Sequence, residues 1–290
     1  MQDDSNYTVY PVFINSSGLQ ADSYNNRYRF NFPAGSVNFT KAKVAVASVS
    51  IFYSWFNITT ELNNNTFSVV WPTNAGNVTS VITIPDGYYS IGTLNEYMQQ
   101  WAITNGRYLV NASGDYVYYI EFIENATYYS VQYVSQPVPT ALPAGWTNPA
   151  GMTFPAVAST PQIIIAANNF RNTLGFNSGT YPAAMQATTY TKLSDYTPQV
   201  TPIQSLLINT DLVANSYNIP SGILYTFSPS GTAFGGLIVS NPNEYFFVDV
   251  SDGNYSQFNI EFLDQNYNKV KIRDSNIIVQ LLFKVLKTSR

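Results

Sequence analysis

The chain has 290 residues, 45% of them apolar and only 10% charged, with a formal net charge of -4 at pH 7. That length suffices for one large domain or two small ones with a real core, while the charge is far below the quarter usual for soluble proteins. Histidine and cysteine are both absent, which excludes a disulfide framework, a thiolate nucleophile, a Cys/His zinc site and any histidine-based triad.

In place of charge, Asn, Ser, Thr and Tyr carry the polarity. Such a surface suits packing against neighbours better than free life in solution. The 23 tyrosines and 18 phenylalanines are large, low-entropy groups of the kind enriched at protein interfaces. They are equally the residues that favour strands.

In chain order, Met1-Gln2-Asp3-Asp4 opens with acids and no apolar run, so no secretory signal peptide is expected. Arg27 to Phe32 alternates, placing Tyr28, Phe30 and Phe32 on one face of a half-buried strand. Pro33 to Ser36 turns it. Lys43 to Phe56 is long for a strand and is expected to bend or bulge near Ser54, crossing from one sheet of a sandwich to the other. The three asparagines within Glu61 to Asn65 then signal a hairpin into Thr66 to Trp71.

Pro85-Asp86-Gly87 ends the strand Val81 to Ile84, and Ser90 reads as the N-cap of the one helix expected. Ile91, Leu94, Met98 and Trp101 recur at helical spacing, so this helix packs one stripe on a β domain. Tyr116 to Ile123 and Tyr128 to Val134 alternate around Glu124-Asn125-Ala126-Thr127 as a hairpin. Gln136 to Pro161 holds six prolines and no hydrophobic period, an extended surface loop. Ile163 to Ala166 resumes a strand, and Asn177 to Pro202 is again irregular.

From Ile203 on the pattern is nearly pure β, with strands expected at Gln204 to Leu212, Gly222 to Phe227, Gly236 to Val239, Tyr245 to Val250, Phe258 to Leu263 and Ile277 to Leu286. With Arg27 to Phe32 and Lys43 to Ser54 these make the eight strands a jelly roll needs. The fold expected is therefore all-β: a single jelly-roll β-sandwich formed by residues 1–62 plus 185–290, with an inserted domain, 63–184, carrying one helix and a β-hairpin.

A search for chemistry finds little. Asp249 and Asp252 are the best carboxylate pair, but Asp252-Gly253-Asn254 after a strand is turn composition. Gln257 or Phe258 stands where a calcium loop would need its terminal ligand. No serine has a base or a Gly-x-Ser-x-Gly setting, and Gly231 to Gly236 lacks the Lys-Ser/Thr of a phosphate loop. No catalytic, cofactor-binding or metal-ligating residue is assigned, no cofactor is implied, and the chain is not read as an enzyme. Nine Asn-x-Ser/Thr sequons occur, Asn38, Asn57, Asn125 and Asn254 among them, and without a signal peptide they read as composition. Basic residues gather at Lys269, Lys271 and Arg273 and again at Lys284, Lys287 and Arg290. They are solvated strand ends, a contact for an acidic neighbour, or a contact for packaged nucleic acid. No apolar stretch is long enough to span a membrane.

Several segments in order resemble the penton (vertex) capsid proteins of virophages, polinton-like viruses and related eukaryotic double-stranded DNA viruses. These are Asn25 to Ser36, Val46 to Thr59, Ile84 to Trp101, Asn169-Phe170-Arg171-Asn172-Thr173-Leu174-Gly175-Phe176, and Phe258 to Asn266 through Ile277 to Leu282. The resemblance implies a structural subunit of the virion, five copies closing each icosahedral vertex beside the major capsid protein and minor capsid proteins, with no enzyme activity. The insertion is expected to project outward. A receptor- or carbohydrate-binding spike or lectin-like sandwich is the alternative, since the fold alone does not decide function. A glycan-cleaving enzyme would need a cleft with two carboxylates, for which the few acids offer little.

Overall fold

The expected alternation is what the computed structural model of this chain, which describes residues 6–18 and 20–287, turns into sheets. Contacts divide the chain into two units, one formed up to Trp55 and from Ile203 on, the other by Phe56–Pro202. In both, the strand pairings among the described residues are antiparallel.

The first unit contains eight principal strands: β1 (Tyr7–Asn15), β2 (Arg27–Asn31), β3 (Lys43–Phe52), β4 (Leu206–Thr210), β5 (Ile223–Phe227), β6 (Leu237–Ser240), β7 (Gln257–Asp264) and β8 (Ile277–Leu286). They form two sheets, ordered β1-β8-β3-β6 and β5-β4-β7-β2, with the short pieces Val248–Asp249 on β3 and Gln20–Ala21 on β2. Along the chain the strands fall in the first sheet, the second, the first, the second twice, the first, the second and the first. That alternation between two antiparallel four-strand layers is the jelly-roll winding. Phe283 of β8 stacks on Phe39 at 5.3 Å and meets Phe258 of β7 at 6.3 Å, while Phe258 meets Phe30 of β2 at 5.1 Å. Rings from both sheets thus interdigitate, as the inner faces of a sandwich must.

Three strand expectations change. β1 was not anticipated, because Pro11 in its middle lacks the N–H a central strand needs; an edge position tolerates it, and β1 is an edge. Tyr245 to Val250 is not a full strand: Val248 and Asp249 pair opposite Val44 and Lys43, and Val250 bridges Val213. β3 ends at Phe52 and stays in one sheet, and its register shift lies opposite Gln280 and Leu281 rather than near Ser54. Ser54 instead folds inward, its Oγ accepting from the N–H groups of Arg273 (3.1 Å) and Asp274 (2.9 Å).

The second unit holds more than one helix and one hairpin. A four-stranded sheet runs Gly179–Tyr181, Gln162–Ile165, Thr66–Trp71, Val78–Thr83, and a three-stranded one runs Ile120–Asn125, Ser130–Ser135, Tyr190–Leu193. Tyr116–Tyr118, expected to continue into Ile123, pairs separately with Tyr108–Val110. Helix α1 (Ile91–Thr104) starts as expected at Ser90, whose Oγ accepts from Thr93 N–H while the Thr93 hydroxyl accepts from Ser90 N–H, a reciprocal capping box. Its buried stripe is Ile91, Leu94, Met98 and Ala102, with Trp101 half-buried. Ile91, Leu94 and Met98 meet Phe67, Ile82, Phe122, Tyr133 and Phe170 in one core, with Trp101 packed against it. A second helix, α2 (Phe170–Leu174), was not expected; Gly175 ends it at φ +77, donating from N–H to Arg171 O at 2.8 Å.

The limits expected for the insertion, 63 and 184, fall inside this unit. Asn57, Thr59 and Asn64 are hydrogen-bonded into it, and Tyr190–Leu193 is a strand of its three-stranded sheet. The Asn57 amide Nδ2 donates to Val200 O at 2.7 Å, joining the entering and leaving segments.

Candidate functional site

A strand covered on both faces reads as a nearly continuous apolar run, whereas one solvated face gives alternation. β8, Ile277-Ile278-Val279-Gln280-Leu281-Leu282-Phe283, is of the first kind, as is β1 with Val9, Tyr10, Pro11, Val12, Phe13 and Ile14. Yet their cover is incomplete: Val9, Tyr10, Phe13 and Ile278 are exposed. Ile14, Ile277, Val279, Leu281 and Phe283 are buried in the sandwich, while the intervening positions look outward.

Register assembles those outward positions into rows. Val239 of β6 lies opposite Ser50 of β3, Ser50 opposite Ile278 of β8, and Ile278 opposite Asn15 of β1. In the next row Ser48 faces Gln280, and Gln280 faces Phe13. The Ser48 hydroxyl donates to Gln280 Oε1 at 3.4 Å. Leu237 lies opposite Phe52. Phe13 is 62% exposed, Val239 57%, Leu237 47% and Ile278 45%. Among these residues none is charged. Charge appears only toward one end, where Lys43 Nζ lies 3.5 Å from Asp249 and Lys284 Nζ sits 4.1 Å over the Phe247 ring. Exposed apolar side chains from β1, β8 and β6, set among the uncharged Ser48, Ser50, Gln280 and Asn15, mark this face as a candidate interaction surface.

The outside of the second sheet is different in kind. Arg27 pairs opposite Glu261, Arg29 opposite Asn259, and Asn31 opposite Gln257. Lys269 Nζ approaches Glu261 at 3.8 Å and Asp22 at 4.0 Å, and the Asp211 carboxylate accepts from Asn259 N–H (2.8 Å) and Nδ2 (2.7 Å). These are solvated polar contacts of small net worth.

From this sheet the β4–β5 connection, residues 211–222, carries the most exposed apolar side chains of the unit: Tyr217 at 96% and Ile219 at 84%. The loop supports itself. Asn215 Oδ1 accepts from Tyr217 N–H (3.0 Å), Asn218 N–H donates to Asn215 O (3.2 Å), and Asn215 N–H donates to Ser221 O (2.8 Å). Gly222 is required at its base, since a Cβ there would lie 2.5 Å from Thr210 O.

The residues singled out for chemistry are placed apart from one another's work. Asp249 faces Lys43, and Asp252 Oδ1 accepts from Lys41 N–H at 2.7 Å; the turn read at Asp252-Gly253-Asn254 is instead the start of a short strand, Gly253–Tyr255, paired with Val37–Phe39. Among the described residues no group of three or more acids is arranged to hold a metal ion, and no helix is long and apolar enough to cross a membrane. Of the basic residues, Lys269 and Lys284 are engaged as above and Lys271 lies 5.2 Å over the Tyr24 ring. Arg290 and Met1–Asp4 lie outside the described residues.

Asparagine does more inside than the sequence suggests. Asn57 and Asn64, both in sequons, are buried with their amides engaged: Asn64 Nδ2 donates to Asn57 O (2.8 Å) and its Oδ1 accepts from Thr59 N–H (2.9 Å). Tyrosine divides between both roles. Tyr133 is buried and its pKa is pushed up by desolvation, and burial, with Asp22 and Asp274 nearby, pushes Tyr28 up to about 12. Tyr10, Tyr116, Tyr128, Tyr129 and Tyr217 stand exposed.

No protein-family model matches the chain, and no curated protein matches it. Among solved structures it is similar to the mavirus penton protein, with 12% identity over 97% of this chain and 100% of that one and a TM-score of 0.46. It is also similar to a chain of the Sputnik virophage in its cryo-EM structure, with 13% identity over 97% of this chain and 98% of that one and a TM-score of 0.38.

Proposed function

We propose that this protein is a penton subunit of a viral capsid, five copies closing each icosahedral vertex of a double-stranded DNA virus beside the major capsid protein. One observation carries the reading: strands β1 and β8 are rich in apolar residues, yet the single chain leaves Val9, Tyr10, Phe13 and Ile278 exposed. Burying the outer face against sister molecules removes that mismatch by the ordinary hydrophobic gain. The surface needs little ionic desolvation to do so, because charge is sparse on it. A jelly roll with two unlike flanks suits a closed ring, in which each subunit presents different patches to its two neighbours. The segments that resemble penton proteins include most of β3 and the first part of β8, the two central strands of this sheet. On this reading the protein resides in the virion at the vertex, acts by assembly, and performs no catalysis.

The test is imaging of particles assembled with and without this chain, joined to the mass of the purified protein in solution. Five-fold rings, and vertices that are filled only when the chain is present, are expected. A persistent monomer at high concentration, together with filled vertices in its absence, overturns the reading.

A further inference from the structure

We infer that the neighbouring subunit is gripped by insertion of the 211–222 loop of one copy onto the outer face of the β1-β8-β3-β6 sheet of the next. This rests on the vertex-ring reading and adds the residues that make the contact. Three observations lead to it.

The two surfaces are chemically alike and differ in form. Tyr217 and Ile219 project from a loop held by its own hydrogen bonds, and Phe13, Ile278 and Val239 lie on a pleated face. From Leu212 to Ile223 the loop contains no charged residue, and neither do the central rows of the face. Docking therefore strands no ion. A pre-ordered loop bearing a nearly fully exposed aromatic side chain also loses little conformational freedom on binding, which is the character of an interface anchor.

Their placement is heterologous. The loop connects two strands of the second sheet, with Val213 at its base bridged to Val250, and the receiving face is the outside of the first, so each copy can give with one surface and receive with another. If the apolar face instead paired with itself, a two-fold dimer would result and the loop would remain in water.

The size of the face argues for a ring rather than a pair. Four strands span about 14 Å and Val9 to Asn15 about 20 Å, or roughly 300 Å² in projection. This is well short of the ~800 Å² per partner of a stable two-body interface. A single junction is then weak, and closure of the ring supplies the rest.

The absence of cysteine gives a clean test on the full chain. Val239→Cys and Ser216→Cys are both at exposed positions; position 239 belongs to the receiving face, where cysteine keeps a small apolar side chain, and Tyr217, Ile219, Phe13 and Ile278 are left in place. Mixed and treated with a short bismaleimide, the two variants are expected to give a 239–216 product at least ten-fold above either variant alone. Ile219→Asp in the wild-type background is expected to weaken self-association at least ten-fold with an unchanged melting temperature. Val239→Cys linking chiefly to itself, or Ile219→Asp associating normally, overturns the proposal. If no 239–216 product forms while the wild type still makes five-fold rings, the contact is wrong and the vertex reading stands. If neither the product nor the rings form, both fall.

Discussion

The side-chain amide of Asn57 pairs with the backbone of Tyr89 as a second strand would: Nδ2 donates to Tyr89 O at 2.6 Å, and Oδ1 accepts from Tyr89 N–H at 2.8 Å. Asn57 is 3% exposed, so neither group has water as an alternative partner. Replacing Asn57 by Ala leaves a part-buried N–H and two carbonyls without these partners, because Nδ2 also serves Val200 O. A loss of about 2–3 kcal/mol is expected in the unit 56–202, read by denaturant titration and by earlier proteolysis within that segment. Asn57→Ala with wild-type stability would remove this account of the asparagine.

Gly175 has no room for a side chain. At φ +77 a Cβ would also lie 2.2 Å from Tyr196 O, a backbone atom that cannot swing aside. Gly175→Ala is expected to cost about 3 kcal/mol or more, whereas Ala at Gly114, which has the same sign of φ and open space, is expected to cost only about 1 kcal/mol. Thermal melts of the two variants side by side check the difference.

Acid sensitivity has a defined source in the same unit. Burial acts to raise the pKa of Asp195, but the Asn177 N–H (2.8 Å), the Lys192 ammonium (2.6 Å) and the Tyr181 hydroxyl (3.3 Å) outweigh it and hold the carboxyl below its ordinary 3.8. A carboxyl depressed in the folded state stabilises fully above its unfolded value and loses that contribution as pH falls through the folded one. Asp195→Asn is expected to lower stability by on the order of 1 kcal/mol at neutral pH, discounted for its partial exposure. It is also expected to flatten the decline in melting temperature below about pH 4. A variant whose acid decline parallels the wild type contradicts this assignment.

The outer face of the first sheet should tolerate charge in isolation and not in assembly. Ile278→Lys places an ammonium on an exposed position, so folding stability is expected to change by no more than about 0.5 kcal/mol. Sedimentation of the same variant should show loss of self-association. A drop in stability without a change in association would mean that the face is part of the fold's own support.

Much of this fold was legible because period-two alternation survives wherever one face is solvated. Arg27-Tyr28-Arg29-Phe30-Asn31 gives β2 almost directly, and Ser90 with its i, i+3, i+7 stripe gives α1. β1 escaped because Pro11 argues against a central strand and because its apolar residues do not alternate. Tyr245-Phe246-Phe247 looked like a strand for the opposite reason: aromatic content imitates β propensity, yet Phe247 serves as a seat for Lys284. α2 is too short for a periodic signal. The candidate surface left a trace, the continuous apolar run of β8, but a run cannot say whether its second cover is the same chain or another one. That distinction needs the register, which places Ile278 and Phe13 outside and Val279 and Ile14 inside.

The Asn57 to Val200 hydrogen bond has a consequence for how such a protein changes over time. Because the chain leaves the 56–202 unit beside the point at which it enters, everything between behaves as a closed cassette hung on two adjacent threads. Its length, loops and even its fold can be exchanged without lengthening the path from β3 to β4. Novelty can therefore accumulate in the cassette while the sandwich stays as it is.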